Sequence, residues 1–302
     1  MPRTSSLPYL WMLSGSLSFA IMSAITHALG ATCDWQVIAL ARSGLAFLFT
    51  AVLVVLAGDK FVLWKPGILW LRSIAGSISL VSAFYALTRL PVSDVLALTN
   101  MFPIWVALLS WPLLKEKPSG HVWVAIILGV AGVVLIQQPH LAEGKLAGLL
   151  ALLSSFTTAV AMMGLHRLKG VATRAVVVHF SGVSFLFSLA ALFFFSSGPV
   201  SSGNLSGSSI GMLLGVGVTA TIGQLFLTKA FAAGPPAKVS IVALTQIVFA
   251  LILDWLFLGR SFNAISLVGI GLVVAPTAWV LGYRKGPKTS VIVRSPHAVE
   301  SV

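Results

Sequence analysis

Charge is what this sequence has least of. Only 9% of its 302 residues are Asp, Glu, Lys or Arg, while 58% are hydrophobic. A soluble globular chain carries about 25% charged residues. So little charge cannot cover a chain of this length in water, and a soluble globular domain is excluded. The mean hydropathy of +1.01 agrees. Cysteine is nearly absent too. Cys33 stands alone, which excludes an intramolecular disulfide framework and a thiolate zinc cluster. No histidine pair has metal-ligand spacing, and no P-loop or nucleophile–base constellation is visible. The expectation is therefore no metal, no cofactor and no enzymatic activity. Strict apolar–polar alternation is also missing, which excludes a membrane β-barrel.

What is present is apolar length. A membrane-spanning helix needs about 20 mostly apolar residues. Ten runs qualify: 9–30, 36–57, 67–88, 92–114, 120–138, 145–165, 174–196, 208–231, 236–258 and 263–283. They predict an all-α polytopic membrane protein. The first run is longer than a signal-peptide core and no A-x-A cleavage site follows, so it reads as a retained membrane helix. Gly, Pro and charge mark the breaks, as in KEKPSG at 115–120 and GPP at 234–236. A pattern NLS at 204–206 matches a glycosylation sequon by pattern only.

The net charge of +12 raises nucleic acid as a partner. The basic residues stand in short pieces between apolar runs, not in one patch with interleaved aromatics, so that partner is excluded. Membrane topology accounts for them instead. With both termini cytoplasmic, 15 of the 19 basic residues fall on the inner side, Arg72 among them. Arg42, Arg89, Lys145 and Arg260 fall on or near the outer side. This asymmetry is the positive-inside rule.

The chain also repeats itself. SGLAFLF at 43–49 returns as SGVSFLF at 181–187, an offset of 138 with five of seven letters kept. YALTRLPVSDV (85–95) aligns with KAFAAGPPAKV (229–239) at an offset of 144, which pairs Pro91 with Pro235 and Trp111 with Trp255. ILGVAGVV (127–134) matches LVGIGLVV (267–274) at 140. Each unit holds five helices. Five is odd, so the second unit crosses the membrane in the opposite sense. Residues 9–138 and 145–283 then form two inverted repeats, followed by a cytoplasmic tail at 284–302. Two inverted halves can exchange conformations and open a central site to one side and then the other.

Residues 84–136 resemble the first repeat of the EamA family in the drug/metabolite transporter superfamily, and 227–274 resemble the second. The shared marks are a small-residue and proline linker between the third and fourth helices of each half, an aromatic end to the fourth, a charged turn, and a glycine-rich fifth. The resemblance covers nearly all of 9–283 and implies a bacterial inner-membrane transporter of a small metabolite: amino-acid-like, nucleoside- or vitamin-like, or drug-like. The family often has Gly-Glu after each fourth helix; here the two copies read Lys115-Glu116 and Gly259-Arg260. The alternative is a non-transporting accessory subunit of an envelope complex, which predicts no saturable solute binding.

Ionisable groups inside membrane runs are costly and mark candidate sites. Arg42 binds a substrate carboxylate or phosphate by paired donors, or snorkels to the headgroups. Asp254, in ALILDWLFLG, carries a coupling proton, or pairs with Arg260 or Lys145. Tyr85 and Lys229 are repeat equivalents; Tyr85 is a candidate for stacking on or bonding to substrate. His27 and His179 are lone membrane histidines, relay or packing residues. Thr99, Asn100, Thr245 and Gln246 lie on the fourth and ninth helices, which line the central cavity in the family. Their amides and hydroxyls orient a substrate or join helices. Trp105, Trp111 and Trp255 stack on a planar substrate or pack. The substrate-binding candidates are thus Arg42, Tyr85, Asn100, Trp105, Gln246 and Trp255, with Asp254 for proton coupling. Expected partners are the bilayer and a small solute, in a monomer or weak homodimer. Excess basic charge tilts the substrate toward anions or zwitterions.

Overall fold

A computed structural model describes residues 6–30, 32–87, 89–90, 92–138, 145–195, 207–258 and 263–282. The described residues hold ten helices long and apolar enough to cross a membrane. In chain order the helical elements of the first half are α1 (Leu7–Leu29), α2 (Trp35–Leu56), α3 (Ile68–Leu87), α4 (Val92–Thr99), α5 (Phe102–Leu114) and α6 (Gly120–Gln137). Those of the second are α7 (Lys145–Arg167), α8 (Thr173–Phe195), α9 (Gly207–Ala233), α10 (Pro236–Ala243), α11 (Thr245–Leu258) and α12 (Ala264–Gly282). In a bilayer the backbone must satisfy its own hydrogen bonds, which is why continuous apolar runs become helices. The sequon at 204–206, the Gly259-Arg260 turn and the tail at 284–302 lie outside the described residues.

Two spans differ from the sequence expectation. The runs 92–114 and 236–258 read as unbroken helices, but each is divided in the structure. The first breaks at Asn100–Met101, the second at Leu244. Asn100 and Leu244 are equivalent at the repeat offset of 144. The chemistry of the breaks differs. Pro103 has no N–H to give to the Thr99 carbonyl four residues back, and its ring crowds that carbonyl. Thr99 Oγ1 donates to the Val95 carbonyl at 2.8 Å and Asn100 Nδ2 to the Leu96 carbonyl at 2.8 Å, which satisfies oxygens at the break. In the second half there is no proline at the break. Thr245 Oγ1 donates to the Val242 carbonyl at 2.7 Å, and the Leu244 N–H turns back to Ile241 at 3.2 Å.

The helices pair in a pattern that survives exchange of the halves. α1 packs on α9, and α7 packs on α3. α1 also meets α10 and α11, as α7 meets α4 and α5. α2 lies on α8, and α6 on α12. The echoed phrase sits at one of these contacts. A Cβ built on Gly44 would lie 3.1 Å from the Phe185 ring, and one on Gly182 would lie 3.1 Å from the Phe47 ring. Each half thus supplies the hole and the ring that the other needs. α6 and α12 approach still more closely. A Cβ on Gly132 would stand 2.6 Å from the Gly269 carbonyl oxygen, and one on Gly269 would stand 2.7 Å from that of Gly132. Small residues permit such approach where lipid supplies no hydrophobic drive between helices.

Candidate functional site

α3 opens with ILWLRSIAGSISL, and Arg72 is its fifth residue. By sequence Arg72 falls with the inner-face charges; in the structure it is 1% exposed. Its guanidinium carbon lies 3.6 Å from the centre of the Phe180 ring on α8. Nη2 donates to Oε1 of Gln224 on α9 at 3.2 Å. Two glycines make the room. A Cβ on Gly164 of α7 would meet Arg72 Cβ at 3.0 Å. A Cβ on Gly76 would meet Nη1 at 3.1 Å and the Phe180 ring at 2.8 Å. Four helices therefore build a cradle for one cation.

The electrostatics of the cradle are incomplete. Nε and Nη1 of Arg72 have no hydrogen-bond partner. Arg174 pairs with Asp59, Nε to Oδ2 at 2.6 Å, so that carboxylate already has a cation of its own. Removing a guanidinium from water costs several kcal/mol even after relaxation. A desolvated cation–π contact returns about 2 kcal/mol, and one amide oxygen adds a dipole, not a charge.

A cleft adjoins the cradle. Arg42, Ser43, Phe180, Ser181, Ser184 and Gln224 line it. Its volume is about 10 Å³, at the lower limit for a single water. A solute enters only if the helices part. Ser43 and Ser181 are repeat equivalents at offset 138, so the cleft straddles the boundary between the halves.

Hydroxyl groups hold the surrounding helices. Ser77 and Ser184 Oγ atoms meet at 2.9 Å between α3 and α8. Ser73 Oγ meets His179 Nδ1 at 2.8 Å, and the His179 ring stands edge-on to Trp70 at 4.7 Å. Ser79 joins α7 through Ser154 Oγ at 3.0 Å and Thr158 Oγ1 at 2.6 Å. A much larger groove of about 940 Å³ runs along α2, α8 and α9, with Phe47, Gly182 and Phe185 in its wall. It is apolar, and Trp70 and His179, chain neighbours of the cradle residues Arg72 and Phe180, also line it.

Of the residues singled out by sequence, Arg42 lies in the cleft, half-buried, beside Phe180 and Gln224. The others stand elsewhere. Half-buried Tyr85 has the Arg89 guanidinium 5.6 Å from its ring centre. Asn100 and Thr99 sit at the break of the fourth span, and Thr245 at that of the ninth. Trp105 on α5 donates from Nε1 to Ser155 Oγ on α7 at 2.9 Å and meets Phe156 edge-on at 5.6 Å. Gln246, half-buried, is the second residue of α11. Asp254 is half-buried on α11. Trp255 is 52% exposed and Trp111 59%, with Lys117 Nζ 4.4 Å from the Trp111 ring centre. Lys229 and His27 are exposed and His179 is buried.

Sequence reasoning missed Arg72, Phe180 and Gln224. Arg72 carried the same signal as Arg42, a cation inside an apolar run. Its place near a run end made it look like a topology charge. Gln224, in TATIGQLFL, was a legible amide in an apolar run. Phe180 had no signal, because its role depends on what packs against it.

Ten membrane-length helices, two of them divided at equivalent positions, with a cation buried between four others, define a polytopic membrane protein. The chain belongs to the EamA-like transporter family, whose model matches residues 6–138 and again 145–282. It is a membrane transporter of small molecules. A pseudopaline exporter of Pseudomonas aeruginosa is 26% identical over 273 residues, spanning 90% of this chain and 94% of the exporter. A riboflavin transporter of Rhizobium johnstonii is 21% identical, spanning 93% of this chain and 92% of that one. A solved crystal structure at 18% identity superposes with a TM-score of 0.79, over 93% of this chain and 98% of the other. That likeness is one of fold.

Proposed function

We propose that this protein is a secondary transporter that moves a small metabolite across the bacterial inner membrane by alternating access between two inverted five-helix halves. The observation that carries the reading is the reciprocal seam, in which Gly44 receives Phe185 and Gly182 receives Phe47. A two-fold axis between the halves produces such paired contacts. Ten crossings alternate in direction, so α2 and α8, five crossings apart, run oppositely and the axis lies in the membrane plane. Related conformations of two such halves expose a central site to opposite sides. The equivalent breaks at Asn100 and Leu244 give each half a place to bend, and discontinuous helices line substrate sites in transporters of this build.

Relatives that move pseudopaline and riboflavin support a small organic solute. Arg42 in the cleft supports a site between the halves. Asp254 remains the candidate for proton coupling; a pH dependence of uptake unchanged in Asp254→Asn contradicts that role. The reading is tested with purified protein in detergent against amino acids, nucleosides, vitamins, sugars, organic acids and cationic drugs. A ligand bound by the folded state alone adds about 2.7 kcal/mol of stability at 100 times Kd. One class shifts the melting temperature saturably and shows counterflow in liposomes. Absence of both across the panel contradicts transport and favours an accessory subunit.

A further inference from the structure

We propose that the Arg72 cradle is where the transported solute docks an anionic oxygen group, a carboxylate or a phosphate. The inference rests on the transport reading and adds the substrate's chemistry to it. Arg72 is 1% exposed, and two of its three nitrogens have no partner. No acidic side chain among the described residues pairs with it; Asp59 is held by Arg174 at 2.6 Å. Phe180 and Gln224 fix the guanidinium in place, and Gly76 and Gly164 keep the space around it that any larger residue would fill. A structural arginine at a membrane interface snorkels to headgroups; this one turns inward between four helices. An oxyanion supplies what the cradle lacks, acceptors for fixed donors and a compensating charge. Arg42 adds a second cation to the adjoining cleft. The cleft holds about 10 Å³, so the halves must part to admit the anion. Its charge then favours reclosure over it, which couples binding to the conformational cycle.

Gln224→Glu tests the idea without knowledge of the natural solute. It places a carboxylate where an amide oxygen now stands 3.2 Å from Nη2, so the protein supplies its own counter-charge. Wild type, Gln224→Glu, Arg72→Gln and Arg72→Lys are melted in detergent with acetate, succinate, citrate, glutamate and glycerol 3-phosphate. Glucose, choline and putrescine at matched ionic strength are the controls. Gln224→Glu is expected to melt a few degrees above wild type without ligand and to lose any anion response. Wild type is stabilised saturably by an anion and not by the controls. Arg72→Gln abolishes that shift, and Arg72→Lys, a point charge without the planar donor set, raises the half-saturating concentration at least tenfold. Succinate against glycerol 3-phosphate separates carboxylate from phosphate. The proposal is overturned if Gln224→Glu melts below wild type, if no anion stabilises, or if the response survives Arg72→Gln. Counterflow then separates the two readings. An anion that binds through Arg72 but is not exchanged across liposomes contradicts transport and leaves the site standing. Counterflow of an uncharged solute, unaffected by Arg72→Gln, contradicts the site and leaves transport standing.

Discussion

The seam between α2 and α8 and the cradle around Arg72 share one helix and follow opposite rules. The seam is apolar and symmetric, with Gly44 and Phe47 answering Gly182 and Phe185 at an offset of 138. The cradle is polar and asymmetric. At the repeat offsets Arg72 corresponds to Val216, Arg42 to Phe180, and Gln224 to Leu80. Both cations belong to the first half. The ring and the amide that receive Arg72 belong to the second. Duplication explains the scaffold and its packing; divergence after duplication explains the site. On the proposed mechanism, a symmetric frame would let the two halves exchange conformations, and an asymmetric centre would give both conformations the same ligand to hold.

The comparison is broken most severely where backbones touch. Gly132→Leu forces a side chain into the Gly269 carbonyl, a Cβ contact of 2.6 Å, and costs about 3 kcal/mol of stability. Size-exclusion chromatography of the solubilised protein then shows loss of the monodisperse peak. Gly271→Leu, on α12 two residues beyond Gly269 but with nothing within 4 Å of its Cβ, stays within about 0.5 kcal/mol of wild type.

Next in size is the test of chemistry against packing. Arg72→Gln lowers counterflow at least tenfold, about 1.4 kcal/mol, while the protein stays folded. Val216→Leu, at the equivalent position in the second half, perturbs stability rather than substrate preference. An anion dependence of flux unchanged in Arg72→Gln contradicts the asymmetric centre.

The seam predicts an equality. Gly44→Ala and Gly182→Ala each push on a ring 3.1 Å away and each cost about 1 kcal/mol, measured as paired melting-temperature shifts. Phe185→Leu relieves Gly44→Ala but not Gly182→Ala, because directly packed residues couple and separated ones add. Smallest are Ser77→Ala and Ser184→Ala. Their shared hydrogen bond of 2.9 Å is of a kind that averages about 0.6 kcal/mol in membranes, and the double variant costs little more than either single one.

Much of the frame was legible in the sequence because lipid simplifies the code. Ten apolar runs gave ten helices, to within a few residues, since no other local structure satisfies the backbone in hydrocarbon. The broken spans were not legible in the same way. Pro103 hinted at one break, but Leu244 carries no breaking residue, and only its equivalence to Asn100 marks the place. The glycine pairs were visible as small residues, while their partners were not, because pairing depends on which helices meet. The site was half legible. Arg42, an embedded cation by sequence, lines the cleft. Arg72 carried the same cue, and its burial depends on Gly164 and Phe180, more than 90 residues away in sequence. Trp255 illustrates the converse. Its sequence left stacking on a substrate and packing both open, because hydropathy cannot say which way a ring points, and the ring is 52% exposed.

Alternating access is tested most directly by distances measured at both membrane faces of one protein. In a Cys33→Ser background, spin labels are placed at Lys117 and Lys169, in turns of different halves, and separately at Arg89 and Gly207. All four positions are exposed. Pulsed electron resonance in nanodiscs then reads each pair with and without the stabilising solute. Two populations at each pair, with one pair lengthening as the other shortens, is the result the inverted-repeat mechanism predicts. A single distance at both pairs that no solute shifts would contradict it.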